Sequence, residues 1–251
     1  MTNNLIFLCT AGFCAAFVDS IAGGGGIISI PAFLLAGIPP HLALGTNKFS
    51  ASCASFTSSI KFAQSGKVDF KLLKYLAPFT FIGAILGVNT VLNISTRYLN
   101  AIVLILLLLV SIYSLFSKNV GTEDNFHGLT KKGISLGMIL ALFLGFYDGF
   151  FGPGTGSFLI FGLINIFCFD FTRAGGNGRV LNFVSNIASL GMFAMRGQIN
   201  YKIGIPVAIF MIIGARLGTK VALNKGAKLI KPIFVTMSLA VATKMLYGMI
   251  H

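Results

Sequence analysis

FAQSGKVDFK at Phe62–Lys71 returns as FAMRGQINYK at Phe193–Lys202, 131 residues further along the chain. The match continues at that offset, because APFTFIGAILG at Ala77–Gly87 returns as AIFMIIGARLG at Ala208–Gly218 with seven of eleven positions identical. It also reaches backward. DSIAGGG at Asp19–Gly25 answers to DGFFGPG at Asp148–Gly154, now 129 residues apart, which implies a two-residue insertion between the blocks. The chain therefore reads as a duplication: a first repeat over residues 1–117, a polar linker over 118–130 and a second repeat over 131–251. Internal repeats of this size in an apolar chain are a mark of secondary transporters, whose halves enclose one site near the bilayer midplane.

Composition points to the same solvent. With 55% hydrophobic and 10% charged residues and a positive mean hydropathy, the chain is too apolar for a soluble domain, where about a quarter of residues are charged. Runs such as Ala101–Ser117, Lys132–Gly149, Ile203–Leu223 and Ile230–Ile250 suit helices crossing a hydrocarbon core. No period-two alternation supports a barrel. The expected fold is an all-α, polytopic membrane protein. The net charge of +13 would suggest nucleic acid in a soluble protein. Here the basic residues fall in short connections between apolar runs, the positive-inside pattern, so no nucleic-acid partner is expected. Cys9, Cys14, Cys53 and Cys168 sit singly and are read as buried, inert thiols, with no metal or cofactor implied. The first basic residue is Lys48, so a cleaved leader is not expected and the first segment is read as retained.

Each copy has the same order of parts: a helix ending at an acid and glycines, a short apolar piece, then three longer helices. The expected spans are 4–21, 27–37, 46–64, 71–93 and 97–117, then 132–150, 156–168, 179–195, 202–222 and 229–250. The second piece of each copy is too short to span alone, so the first two form a broken or re-entrant pair at the glycines. If the pair enters and leaves on one side, the copies are inverted. Lys67, Lys71, Lys74, Lys118, Lys131, Lys132, Arg173, Arg179, Lys220, Lys225, Lys228 and Lys231 then share one side, against Lys48, Arg97, Arg196 and Lys202 on the other. Eight crossings with parallel copies would divide the charge nearly evenly. The asymmetry favours inversion.

Charges inside apolar segments are costly and by default face a cavity or a partner. Asp19 corresponds to Asp148, and Lys48 to Arg179, so the costly residues recur in both copies. The acids either couple protons or organise the site, by capping a glycine turn or pairing with the base of their own copy. AGGGGIIS at Ala22–Ser29 and GPGTGS at Gly152–Ser157 break the helix. The short helix that follows starts there, and its free N–H groups make an anion site. Gly23, Gly24, Gly25, Gly26, Gly152, Gly154 and Thr155 are thus candidate substrate-binding positions. So are Asn47, Lys48, Arg179 and Asn182, on polar stripes that include Ser50, Ser52, Ser55, Ser185, Asn186 and Ser189. Packing of small residues and helix-to-helix hydrogen bonds are the alternative explanation. Lys61 and Lys244 can snorkel; Arg216 has Ile85 at its counterpart and breaks the pairing. Tyr75, Tyr98, Tyr113 and Tyr201 supply the interfacial belt.

FVDSIAGGGGIISIP, GIPPHLALGTNK at Gly37–Lys48 and the repeated FAxxGxxxxK element resemble the TauE/SafE sulfite exporter family of membrane permeases. The resemblance implies an inner-membrane transporter, usually with about eight spans, of sulfite, sulfoacetate or other small organosulfur or organic anions. It maps family motifs onto Asp19, Gly23–Gly26, Pro31, Asn47 and Lys48, while GPGTGS departs from the glycine run. The expected activity is carriage of a small anion by alternating access, with protons as the candidate coupling ion. An anion-selective channel is the alternative. An enzyme is not expected, since His41 and His127 fall in loops and no Ser/His, HExxH or paired-carboxylate arrangement is visible.

Overall fold

A computed structural model describes residues 2–99, 101–103, 105–106, 109 and 123–225. The expected helices over 97–117 and 229–250 lie mostly or wholly outside them. The helices are α1 Thr2–Ala22, α2 Gly26–Leu35, α3 Pro40–Gln64 and α4 Phe70–Leu92. After the linker follow α5 Lys131–Phe150, α6 Thr155–Phe167, α7 Phe171–Met195 and α8 Tyr201–Lys225. Among the described residues there is no strand.

The repeated FAxxG element encodes one helix ending and the next helix start. Gly66 and Gly197 take left-handed backbone, with φ of +68° and +64°. The N–H groups of Lys67 and Gln198 reach back to the carbonyls of Phe62 and Phe193, at 3.1 and 2.9 Å, the closure of a Schellman ending. Asp69 then caps α4 by accepting from the Leu72 N–H, and Asn200 accepts from the Ile203 N–H at the start of α8. Each turn is held by the opposite half. The Asp69 N–H donates to Asn177 Oδ1 and the Asn200 N–H to Thr46 Oγ1, both at 2.9 Å.

These contacts fix the directions of six of the eight described helices. The turn after α3 meets the start of α7 and the turn after α7 meets the start of α3, so those two are antiparallel. Gly214 and Gly218 of α8 lie against the Phe13 and Phe17 carbonyls of α1 in rising order, which makes α1 and α8 parallel. Ser50 donates to the Gly204 carbonyl and Thr219 to Ser58, so α3 runs with them. In the same way Gly83 and Gly87 of α4 lie against the Leu142 and Phe146 carbonyls of α5. The start of α5 sits by the end of α6, where Gly133 and Gly137 face the Phe167 ring, and its far end reaches Lys48 in the first half of α3. Hence α1, α3 and α8 run one way, and α4, α5 and α7 the other.

Small residues make these contacts close. Gly83 and Gly87 of α4 face Gly145 and Gly149 of α5, whose own neighbours are the Thr80 and Ala84 carbonyls. Helices that share a lipid solvent associate through this kind of backbone approach. Among the described residues, four helices are long and apolar enough to cross a membrane: 4–22, 70–92, 131–150 and 201–224. Their outer faces carry Ile82, Leu86, Ile139, Phe143, Ile209 and Leu217, all exposed as lipid-facing side chains should be. Polar α3 and α7 occupy the centre instead. At 25 residues each they are about 37 Å long, enough to traverse the core. Their Ser50, Ser52, Ser55, Ser185, Asn186 and Ser189 are buried.

Several expectations change here. α3 and α7 start at Pro40 and Phe171, six and eight residues before the expected positions 46 and 179. Proline at the first helical position is tolerated because its missing N–H would be unsatisfied anyway, and Asp170 caps α7 by accepting from the Arg173 N–H. Lys48 and Arg179 are therefore buried mid-helix residues and leave the count of loop charges. His41 likewise lies in the first turn of α3, near the Val91 carbonyl, rather than in a loop. Cys9 is buried, but Cys14 and Cys53 are half-buried and Cys168, at the end of α6, is exposed; none is paired. The described part of the linker is docked rather than free. The Arg173 guanidinium lies between the Phe126 and Phe169 rings, at 4.3 and 4.4 Å from their centroids, and binds Asp124 and Asp69 at 3.1 and 3.2 Å.

Candidate functional site

Helices α1 and α2 form a hairpin whose elbow is the glycine run, and α5 and α6 form another entering from the opposite end. Gly23 takes φ +74° in the first elbow; Gly152 and Gly154 take +100° and +83° in the second. The elbows pass side by side. A side chain on Gly23 would overlap the backbone of Gly156 and Ser157, and one on Gly26 would come 3.0 Å from Pro153 Cα. The Ser157 hydroxyl donates to the Ala22 carbonyl at 2.8 Å, with the Gly23 carbonyl the other oxygen in reach. Non-helical backbone at membrane depth is tolerable here because protein, not lipid, surrounds it.

The buried charges pair across the halves. Lys48 Nζ donates to Asp148 Oδ2 at 2.6 Å and to Asn186 Oδ1 at 3.0 Å. Arg179 Nη1 donates to Asp19 Oδ2 at 2.5 Å. Pairing within one copy is thus corrected: each acid binds the base of the other half, because the antiparallel α3 and α7 present Lys48 to the second elbow and Arg179 to the first. Capping of the glycine turn does occur at Asp19, whose Oδ1 accepts from the N–H groups of Gly24 and Gly25 at 2.9 and 3.0 Å. Asp148 differs. Its Oδ2 also accepts from Ser185 Oγ at 2.6 Å, and in the second elbow Thr155 Oγ1 donates to the Gly152 carbonyl instead.

Between the elbows lies a cavity of about 40 Å³, room for about three waters. Asp19, Gly25, Gly26, Asn47, Lys48, Asp148, Gly152 and Asn182, all candidate site residues, line it. Gly23, Gly24, Gly154 and Thr155 shape the elbows without lining the space. Arg179 stands behind Gly156, with Nη2 3.0 Å from where a β-carbon on that glycine would be. It is 1% exposed, and Nη2 has no hydrogen-bond partner, nor has the buried Asn47 Oδ1. A guanidinium donor in that condition is costly unless something else accepts from it. Lining residues outside the expected binding set are Ala16, Ser29, Ala51, Ala54, Gly156, Asn186 and Met211. Asn186 was legible as part of the polar stripe and Gly156 as part of GPGTGS; nothing in the sequence marks Met211. Among the described residues, no group of three His, Cys, Asp or Glu side chains is placed to hold a metal ion.

This arrangement can be compared with known proteins. The profile described as "Sulfite exporter TauE/SafE" matches residues 8–245. The chain belongs to the TauE/SafE family. A "probable membrane transporter protein" of Haemophilus influenzae is 38% identical over 243 residues, covering 97% of this chain and 94% of the relative. The "probable membrane transporter protein YfcA" of Escherichia coli K12 is 35% identical over 233 residues, covering 93% and 86%. Another, from a Sinorhizobium species, is 38% identical over 247 residues, covering 98% and 94%. No solved structure matches the chain. As a TauE/SafE member with several spanning helices, it is a multi-pass membrane protein of a transporter family. The family and relatives' names are those of transporters rather than enzymes.

Proposed function

We propose that the protein is a secondary transporter of a small anion, bound in the cavity between the two glycine elbows and carried by alternating access between two inverted repeats. The observation that carries this reading is the pair of crossed ion pairs around one small space, with a buried guanidinium donor left over beside it. Lys48 has three donors and spends two on Asp148 and Asn186, so one remains for a ligand. The start of α6 adds backbone N–H groups and a positive dipole end. The family description supports an oxyanion of sulfur, such as sulfite or sulfoacetate, and export as its direction.

Repeat inversion is supported by the opposite directions of α1 and α5 and by turn contacts that recur at the sequence offset. The cavity is too small for an organosulfonate as it stands, so entry needs the elbows to part, which favours a carrier over an open pore. Orientation follows from the loop charges: the end bearing Lys67, Lys71, Lys74, Lys131, Lys132, Arg173 and Lys220 faces the cytoplasm, and the end bearing Arg97, Arg196 and Lys202 faces out across the inner membrane.

The test is uptake of labelled sulfite and sulfoacetate into proteoliposomes preloaded with the same unlabelled anion. Accelerated, saturable exchange is expected. Lys48→Met should raise the half-saturating concentration by about tenfold or more, since a hydrogen bond from a charged group is worth about 1.5–3 kcal/mol. Flux that never saturates would replace the carrier by a channel, and unchanged affinity would remove Lys48 from the site.

A further inference from the structure

The four charges of the site sum to zero: buried Lys48, Arg179 and Asp148 with the partly exposed Asp19. An anion entering this space would leave one uncompensated negative charge away from water, and a proton on one of the two carboxylates removes it. We propose that the two ion pairs divide the work: Arg179–Asp19 is a fixed pair that anchors the anion, and Asp148 takes up the one proton that accompanies a monovalent anion. The inference rests on the reading of the cavity as an anion site.

The two acids differ in what holds them. Asp19 accepts three hydrogen bonds spread over both oxygens, two from backbone N–H groups and one from Arg179. A guanidinium does not surrender its proton, and donors aimed at a carboxylate favour its charged form. Asp19 is therefore the acid that the fold holds on both oxygens. Both side-chain hydrogen bonds to Asp148 fall on Oδ2, from Lys48 and Ser185. Its Oδ1 lies towards Gly152, 3.2 Å from where a β-carbon there would sit. Lys48 also has a second acceptor in Asn186, so it keeps a partner when Asp148 becomes neutral.

The step is a proton transfer from water to the Asp148 carboxylate, giving the acid while Lys48 remains ammonium. The released Lys48 donor and the new Asp148 hydroxyl both turn to the anion; when the anion leaves, Asp148 returns its proton to water on that side. The other groups facing this pair are few. From α5 itself Tyr147 stands next to Asp148, with its hydroxyl donating to the Pro153 carbonyl. From α1 comes Asp19 across the cavity, and from α7 come Ser185 and Asn186 together with Arg179 on the first elbow. Along α4, Thr80, Gly83, Ala84 and Gly87 meet α5 and none titrates. Ser29, Gly156 and Met211 from α2, α6 and α8 add no charge. Carriage of a monovalent anion is then electroneutral, and its direction follows the anion and proton gradients rather than the membrane potential.

The experiment is pH-difference infrared spectroscopy of the purified protein in lipid nanodiscs. The chain has six acidic residues, so its carboxyl spectrum is sparse. Acidification should raise the high-frequency carbonyl band of a buried, protonated carboxyl. Asp148→Asn should abolish it and Asp19→Asn should keep it. Lys48→Met, measured in parallel in case Asp148→Asn does not fold, should move the band's midpoint to higher pH, because the cation that favours the ionised form is gone. A band that survives in Asp148→Asn, is lost in Asp19→Asn, is absent from the wild type, or holds its midpoint in Lys48→Met overturns the inference. Anion exchange in the wild type without the band would sink this assignment alone; the band without exchange of any anion would sink the carrier reading instead.

Discussion

Asp19→Asn is expected to lower stability more than any other charge-removing change in the first elbow, and Arg179→Met added to it is expected to restore most of the loss. Removing Asp19 leaves Arg179, 1% exposed, as a buried cation whose only ion-pair partner in the described structure has gone. Breaking a buried pair from one side costs about 3–5 kcal/mol, whereas replacing both partners by uncharged groups is often neutral. Asparagine keeps one oxygen for the Gly24 and Gly25 N–H groups, so the elbow cap persists and the loss reports the charge. The measurement is thermal or denaturant unfolding in detergent over the four combinations of the two substitutions. A coupling of several kcal/mol places the acid of one half on the base of the other. Additive effects would mean that the crossed pair does not exist. Activity follows a different rule: both the single and the double variant should fail to exchange anions, because the anchoring guanidinium has lost either its orientation or its existence.

The crossing itself marks what the sequence could not supply. Recurrence of Asp19 at Asp148 and of Lys48 at Arg179 was visible because a charge in an apolar helix stands out and similar motifs surround each, at offsets of 129 and 131 residues. Which acid meets which base depends on α3 and α7 lying antiparallel across the centre, a relation between segments that no local pattern carries. Helix boundaries failed for a related reason. Residues 40–45 (PHLALG) begin with proline and end with glycine, and 171–178 (FTRAGGNG) hold three glycines, so they read as loops. They are helical because the other half buries them: Gly45 packs on the Gln198 carbonyl and Gly176 on the Lys67 carbonyl, where side chains would not fit. The glycine elbows were legible for the opposite reason, since a run of glycine in a hydrophobic helix has few explanations. Asp148 lacks the backbone cap that Asp19 has, and only the interruption of the glycines by Pro153 and Thr155 hinted at that difference. The linker's composition is that of a plain polar loop, and its docking through Asp124 and Phe126 onto Arg173 became readable only with the end of α6 beside it.

Gly23→Ala is the second change with a large expected effect, and its size can be separated into parts with variants of the same chain. Gly23 and Gly37 have nearly the same backbone, φ +74° and +80°. An alanine at either position pays the left-handed strain of about 1–2 kcal/mol. At Gly37 a β-carbon meets nothing within 4 Å, so strain is the whole cost. At Gly23 the added carbon would also lie 2.7 Å from Gly156 Cα and closer still to the neighbouring backbone of Ser157. Backbone cannot swing aside as a side chain can, so the elbows must separate and the Ser157 hydrogen bonds to the Ala22 and Gly23 carbonyls must break. Gly23→Ala should therefore leave little folded protein on size-exclusion chromatography in detergent, while Gly37→Ala elutes as the wild type with a modestly lower melting temperature. Gly152→Ala isolates the third possibility. Its β-carbon would meet Asp148 Oδ1 at 3.2 Å and Lys48 Nζ at 3.3 Å, the mobile ends of two side chains, in addition to the strain at φ +100°. That variant should fold, with the Lys48–Asp148 pair pushed out of place and exchange lost. If Gly23→Ala instead folds and elutes like Gly37→Ala, the two elbows do not touch, and the cavity between them must be built from other residues.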